Sequence, residues 1–119
     1  MKKVKSKDIG NLIKVYATLV NAEYEDYQMA INITKDGFKV EDASKAFEKL
    51  KEGLIKKYKN EKGDIDTDKV EDFNKEFEKL MESTHSIDFK TVIPKSVLKS
   101  IKLTGLGAKT LDDYQLIEE

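Results

Sequence analysis

The sequence predicts a mainly α-helical fold: a small helical domain built on an α-helical hairpin over residues 41–84, with a minor extended or β segment near residues 86–93. Three observations predict it. Apolar residues recur three and four apart through AFEKLKEGLIKKY and again through VEDFNKEFEKLM, the spacing of one helical face. Charged residues make up 38% of the chain, against roughly 25% in an average domain, which favours helices with ion-paired outer faces over a buried sheet. At 119 residues the chain reads as one domain, residues 1–119, with room for a single modest core.

Residues 1–6 are basic and form either a frayed arm or a short strand, with Val4 as the one apolar anchor. Ser6 or Asp8 caps a first helix at residues 8–20, whose stripe is Ile9, Leu12, Ile13, Tyr16, Leu19 and Val20. Gly10 loosens its first turn. Tyr24, Tyr27 and Ile31 continue that stripe into a second helix at about residues 22–34. Glu23, Glu25 and Asp26 suit its electropositive start, and Gly37 serves as its left-handed stop. A β-hairpin is the alternative for residues 29–40. Met29, Ile31 and Ile33 alternate with small or polar residues, and Lys35-Asp36-Gly37 could turn the chain into Phe38 and Val40.

The hairpin is clearer. Val40, Ala43, Phe47, Leu50, Leu54 and Tyr58 share one face, and Val70, Phe73, Phe77, Leu80 and Met81 share the other helix's face. Outward positions pair Glu41 with Lys45 and Glu52 with Lys56 in the favoured acid-first order. Gly63 marks the turn, and Asp66 or Thr67 caps the return helix. Two such stripes pack on each other and on something else besides. The expectation is therefore a hairpin that holds the fold together, with the preceding residues packed on it and the following ones as a cap.

Beyond Thr84 the pattern becomes extended, with Ile87 and Phe89 alternating ahead of Thr91, Val92 and Ile93. Pro94 opens a short helix, PKSVLKS. Thr104 to Gly107 make a flexible joint, and Thr110 caps a last helix bearing Leu111, Tyr114 and Ile117 before the acidic end Glu118-Glu119.

Several function classes are disfavoured. The balance of 22 basic and 23 acidic residues argues against nucleic acid as a partner, because neutralising phosphates requires a surplus of positive charge. Every basic residue is lysine, so the two-pronged guanidinium grip on phosphate or carboxylate is missing. The absence of cysteine removes disulfides, thiolate metal sites and cysteine nucleophiles. No apolar run approaches the ~20 residues of a membrane span, and KKVKSK is not followed by a convincing leader, so a cytoplasmic protein is expected.

Motifs that touch on chemistry stop short of it. Asp64, Asp66 and Asp68 resemble the start of a calcium loop, but Lys69 and Lys75 occupy the glycine and glutamate positions, so a helix cap is the reading. GLGAKT lacks the Gly-Lys adjacency of a phosphate loop. His85, the single histidine, is placed at a helix end beside the carbonyl dipole, without a nucleophile motif. No catalytic residue, metal ligand or cofactor is expected. The tyrosines carry more weight, since they join apolar area to a polar tip. Tyr16, Tyr24 and Tyr27 cluster in the first two helices, where continuing the core stripe is the favoured reading and a partner or small-ligand surface the alternative; together with Lys109 in the Gly-rich joint they are the candidate binding residues.

In order, KAFEKLKEGLIKKY, a Gly/Asp turn, VEDFNKEFEKLME, the extended HSIDF and a terminal helix ending in IEE resemble a group of small bacteriophage and prophage proteins of Gram-positive hosts. The resemblance spans residues 27–119, and GLGAKT departs from the plainer helix start of that pattern. The family has no assigned activity, so it contributes no functional residues. It implies a phage or prophage origin. Together with the small size, the lack of a catalytic cluster and the tyrosines available for contact, it leads to the expectation of a phage-type accessory protein without catalysis that binds a host or phage protein or a small ligand, for instance to inhibit or sequester a host-defence component in the host cytoplasm. The alternative is a virion or tail assembly factor, virion-associated, that forms homo-oligomers through its helical faces.

Overall fold

The computed structural model describes residues 1–118; the expected acidic end at Glu119 lies outside them. Strand β1 (Lys2–Lys5) runs without a loop into α1 (Ser6–Val20), followed by α2 (Tyr27–Tyr58) and α3 (Val70–Glu82). Strand β2 (Thr84–Ile87) and two short helices, α4 (Lys95–Ser100) and α5 (Gly105–Asp113), complete the chain. The fold is mainly helical with one small antiparallel sheet, β1 beside β2, in which Val4 faces His85 and Lys2 faces Ile87.

The basic N-terminus is therefore a strand, and Val4 is its buried anchor. The expected extended segment near residues 86–93 begins earlier, at Thr84, and only its first part pairs with β1. Because β1 feeds straight into α1, Ser6 is already helical rather than a cap. Its hydroxyl bonds instead to Ser83 Oγ and His85 Nε2, each at 2.8 Å. Asp8 lies in the first turn, where it accepts from the Tyr114 hydroxyl at 2.6 Å.

The predicted break at Gly37 does not exist. Tyr27–Tyr58 is one helix of 32 residues, which also excludes the β-hairpin alternative for residues 29–40. Asp26 starts it by accepting from the backbone N–H groups of Gln28 and Met29 at 2.9 and 3.3 Å. Gly37 faces α1, where an added Cβ would lie 3.2 Å from Val20 Cγ2. Its use is close helix approach rather than helix termination. Asp36, read from sequence as a turn residue, is wholly buried on the same helix.

The centre of the core is α1, not the hairpin. Ile9, Leu12, Val15, Tyr16 and Leu19 are buried, together with Ile33 and Val40 of α2, Val4, Ile87, Ile93, Leu111 and Leu116. Helix α1 packs on α2, α5, α3 and β1. Each such side chain contributes about 1.5–3 kcal/mol on leaving water.

The expectation that residues 41–84 hold the fold together is thus overturned. Val40, Ala43 and Phe47 enter the core, but Leu50 is 57% exposed and α3 buries none of its residues. Residues 48–82 form a projecting two-helix arm, and the molecule measures 56 × 26 × 21 Å. Its radius of gyration is 17.2 Å, against about 14 Å for a rounded domain of this length. Within the arm, Tyr58 meets Phe73 edge-on and Lys57 pairs with Glu76 at 2.8 Å. At the root, Glu82 bridges Lys5 and Lys7.

At the arm's tip, neither Asp66 nor Thr67 caps α3. A 3-10 turn at Thr67–Lys69 precedes it, and α3 starts without a side-chain cap. The Asn60 side chain organises this tip by accepting from Lys62 and Asp64 N–H and donating to Asp66 at 2.9 Å. Gly63 takes the left-handed conformation there, at φ 88°.

The C-terminal reading shifts by six residues. Thr104, not Thr110, caps α5, accepting from Gly107 N–H at 3.0 Å. The expected flexible joint is the start of this helix, and Gly107 sits so near α1 that a Cβ would lie 2.7 Å from Val15 Cγ2. Thr110 is buried inside the helix, bonded to the Leu106 carbonyl. Tyr114 and Ile117 follow α5, and Ile117 bridges to Ile93.

Candidate partner-binding surface

Helix α2 is apolar on two opposite sides. Met29, Ile33, Asp36 and Val40, spaced four, three and four, face the core or help to pin it. Tyr27, Ile31, Thr34 and Phe38 follow the same spacing, turned about half a revolution away. Three of these four are large apolar residues in open solvent: Tyr27 is 81% exposed, Phe38 59% and Ile31 47%. Scattered exposed apolar residues are ordinary, but a straight ridge of them on a helix whose opposite face is already buried is a candidate contact surface.

Gly37 shapes the ground beside this ridge. Lacking a side chain, it leaves a groove of about 310 Å³ between α1 and α2, walled by Ile13, Ala17, Val20 and Phe38 and floored by Tyr16. A second shallow depression runs along Tyr27, Ala30, Ile31 and Phe38. Ridge and groove are continuous through Phe38, and Val20 at their margin is also exposed. Glu41, Lys35 and Asn21 supply a polar rim.

The four sequence-predicted binding residues do not come together. Tyr27 heads the exposed ridge. Tyr16 is core, stacked on Phe89 with ring centroids 5.8 Å apart. Burial, and then the neighbouring Asp36 charge, hold its hydroxyl well above the usual phenol range. That hydroxyl has no hydrogen-bond partner among the described residues. Tyr24 is half-buried and donates to the Leu19 carbonyl at 2.6 Å, closing the end of α1; burial raises its pKa too. Lys109 lies on α5 in an ion pair with Asp113 at 3.0 Å, which raises the lysine's pKa. Sequence reading missed Ile31 as an outward residue and Phe38 altogether.

His85 lies in β2 rather than at a helix end, so the dipole reading is withdrawn. Its 2.8 Å contact with Ser6 has the length of a nucleophile–base pair. Ser6, however, is only 1% exposed and also shares a hydrogen bond with Ser83, so the trio joins the sheet to the start of α1. Asp36 is equally structural, accepting from the backbone N–H groups of Lys90 and Thr91. Among the described residues, no group of three His, Cys, Asp or Glu side chains is placed to hold a metal, and no helix is long and apolar enough to cross a membrane. Compared with known protein families, curated proteins and solved structures, the chain matches none.

Proposed function

We propose that this chain is a non-catalytic accessory protein that acts by binding, and that its ridge on α2 receives an amphipathic helical segment of a protein partner. The observation that carries this reading is the exposed line Tyr27, Ile31, Phe38 beside the Gly37 groove. Ridge and groove together suit a helix that brings apolar side chains at three- and four-residue spacing. Tyr27 and Phe38 are the anchors, because large aromatic residues dominate such contacts.

The expected phage or prophage origin would set it in a host cell, and a component of host defence is the class of partner proposed to be sequestered. The test is co-purification of a tagged chain from host cells beside the Ile31→Ser/Phe38→Ser variant. A host protein held by the original chain and lost from the folded variant is expected. A partner retained by the variant at equal yield would refute this surface.

The rival reading, an assembly factor that self-associates through helical faces, draws on a different feature, the uncovered stripe of the arm.

A further inference from the structure

The groove beside Gly37 has apolar walls and a margin rich in hydrogen-bond acceptors. Ile13, Ala17, Val20 and Phe38 form the walls, while Asn21 and Glu41 supply the polar side chains. Tyr16 presents only its ring, because its hydroxyl is sealed in the core. The backbone contributes no free N–H. Those of Ile13 to Val20 and of Gly37 to Glu41 are spent inside α1 and α2, and Asn21 N–H goes to the Leu19 carbonyl. Glu41 accepts through both carboxylate oxygens, one of which meets Lys45 at 3.2 Å. Asn21 commits one amide N–H to the Ala17 carbonyl at 2.8 Å, keeping its oxygen and a single N–H. The Val20 carbonyl, in the last turn of α1, has no helical N–H to accept and stands at the negative end of the helix dipole.

These features select one kind of occupant. A volume of about 310 Å³ is at the small end of the ligand-pocket range of roughly 300–1,000 Å³, so it holds one large side chain rather than a segment. Apolar walls favour an aromatic body, and the surplus of acceptors favours a donor at its tip. A lysine would shed its hydration among those walls against a Glu41 carboxylate already shared with Lys45. We propose that the groove receives a tryptophan of the partner's helical segment, because an indole is large and its only polar group is one N–H donor. Phe38, which belongs to both ridge and groove, offers the indole an aromatic wall. This anchor rests on the α2 ridge being the partner's seat, and names the residue that the partner brings to it.

Amphipathic helical peptides that differ at one central position, carrying tryptophan, 1-naphthylalanine or lysine there, test this when titrated against the full chain by anisotropy of a terminal label. The tryptophan peptide is expected to bind roughly three- to tenfold tighter than the naphthylalanine peptide, which keeps the size and drops the N–H. The chain contains no tryptophan of its own, so a blue shift of indole emission on binding reports the anchor alone. Asn21→Ala/Glu41→Ala is expected to erase the preference and leave the naphthylalanine affinity unchanged. Ala17→Leu, at an exposed helical position, fills the groove and is expected to weaken both aromatic peptides while circular dichroism shows the fold kept. Equal binding of tryptophan and naphthylalanine, tightest binding of the lysine peptide, or indifference to Ala17→Leu overturns the anchor. If Ile31→Ser still weakens every peptide in those cases, the ridge survives the anchor's failure. Peptides indifferent to Ile31→Ser overturn ridge and anchor together. No binding by any peptide overturns the anchor and leaves the ridge to its co-purification test.

Discussion

The buried carboxylate of Asp36 holds the backbone N–H of Lys90 with both oxygens, at 2.9 and 3.0 Å, and one of those oxygens also takes Thr91 N–H at 3.0 Å. One side chain on α2 thus replaces the strand partner that the chain loses after Ile87. Lys39, one turn along, adds a 2.6 Å bond to the Asp88 carbonyl and lies 3.5 Å from Asp36. Asp36→Ala leaves two part-buried backbone donors without their charged acceptor and is expected to cost roughly 1.5–3 kcal/mol in urea unfolding. A loss below about 0.5 kcal/mol, the scale of a neutral surface change, would contradict the pinning role.

Helix α5 touches α1 where Gly107 meets Val15. Gly107→Ala puts a methyl group 2.7 Å from Val15 Cγ2, and the overpacking is expected to destabilise by about 1–3 kcal/mol. Gly10, helical and with open space around its Cβ position, provides the control. Gly10→Ala is expected to stabilise by about 0.5–1 kcal/mol. Equal effects of the same sign in thermal melts would remove the close-approach argument.

The Tyr114 hydroxyl joins the two ends of the chain, accepting from Lys5 N–H at 3.0 Å and donating to Asp8 at 2.6 Å. Burial first, and then the Asp8 hydrogen bond, push its pKa up to about 12. A raised folded-state pKa means stabilisation that is complete below the unfolded value of 10.0 and lost as pH climbs through about 12. Melting temperature is expected to fall across that window, and Tyr114→Phe is expected to flatten the fall while lowering stability at neutral pH. Tyr16 contributes with the same sign, so the comparison with Tyr114→Phe isolates one hydroxyl. An unchanged alkaline slope would show that Tyr114 is not the group responsible.

Tyr16→Phe removes a buried hydroxyl that has no partner among the described residues. The aromatic stack on Phe89 stays, and the lost group had only a desolvation cost to give back, so stability is expected to hold or rise by about 1 kcal/mol. A loss of more than about 1 kcal/mol would reveal a hydrogen bond worth keeping.

What was legible in the sequence was what local spacing determines. The stripes of α1 and α3 and the helix after Pro94 fall where their periodicity puts them, within a few residues. What was not legible depended on distant partners. Lys35-Asp36-Gly37 has the composition of a turn, yet Gly37 accommodates Val20 and Asp36 accommodates Lys90, and neither contact is visible locally. The strand status of residues 2–5 waits on residues 84–87. Two threonines, Thr104 and Thr110, both precede apolar residues, and only the packing of Gly107 on Val15 selects the earlier cap. For the candidate surface, Tyr27 was legible and Phe38 was not, because the supposed stop at Gly37 separated them. Once α2 is continuous, the spacing 27, 31, 34, 38 opposite 29, 33, 36, 40 is the signal that finds the ridge.

The most direct test of the binding reading places a photo-crosslinking phenylalanine analogue at Phe38 and, as a control, at exposed Glu61 in the arm's tip. Irradiated in host cells, the Phe38 probe is expected to trap one discrete partner whose crosslinked peptide is an amphipathic helix, while the Glu61 probe traps none of it. A Phe38 probe that yields only uncrosslinked chain, or the same products as the Glu61 probe, would contradict the account.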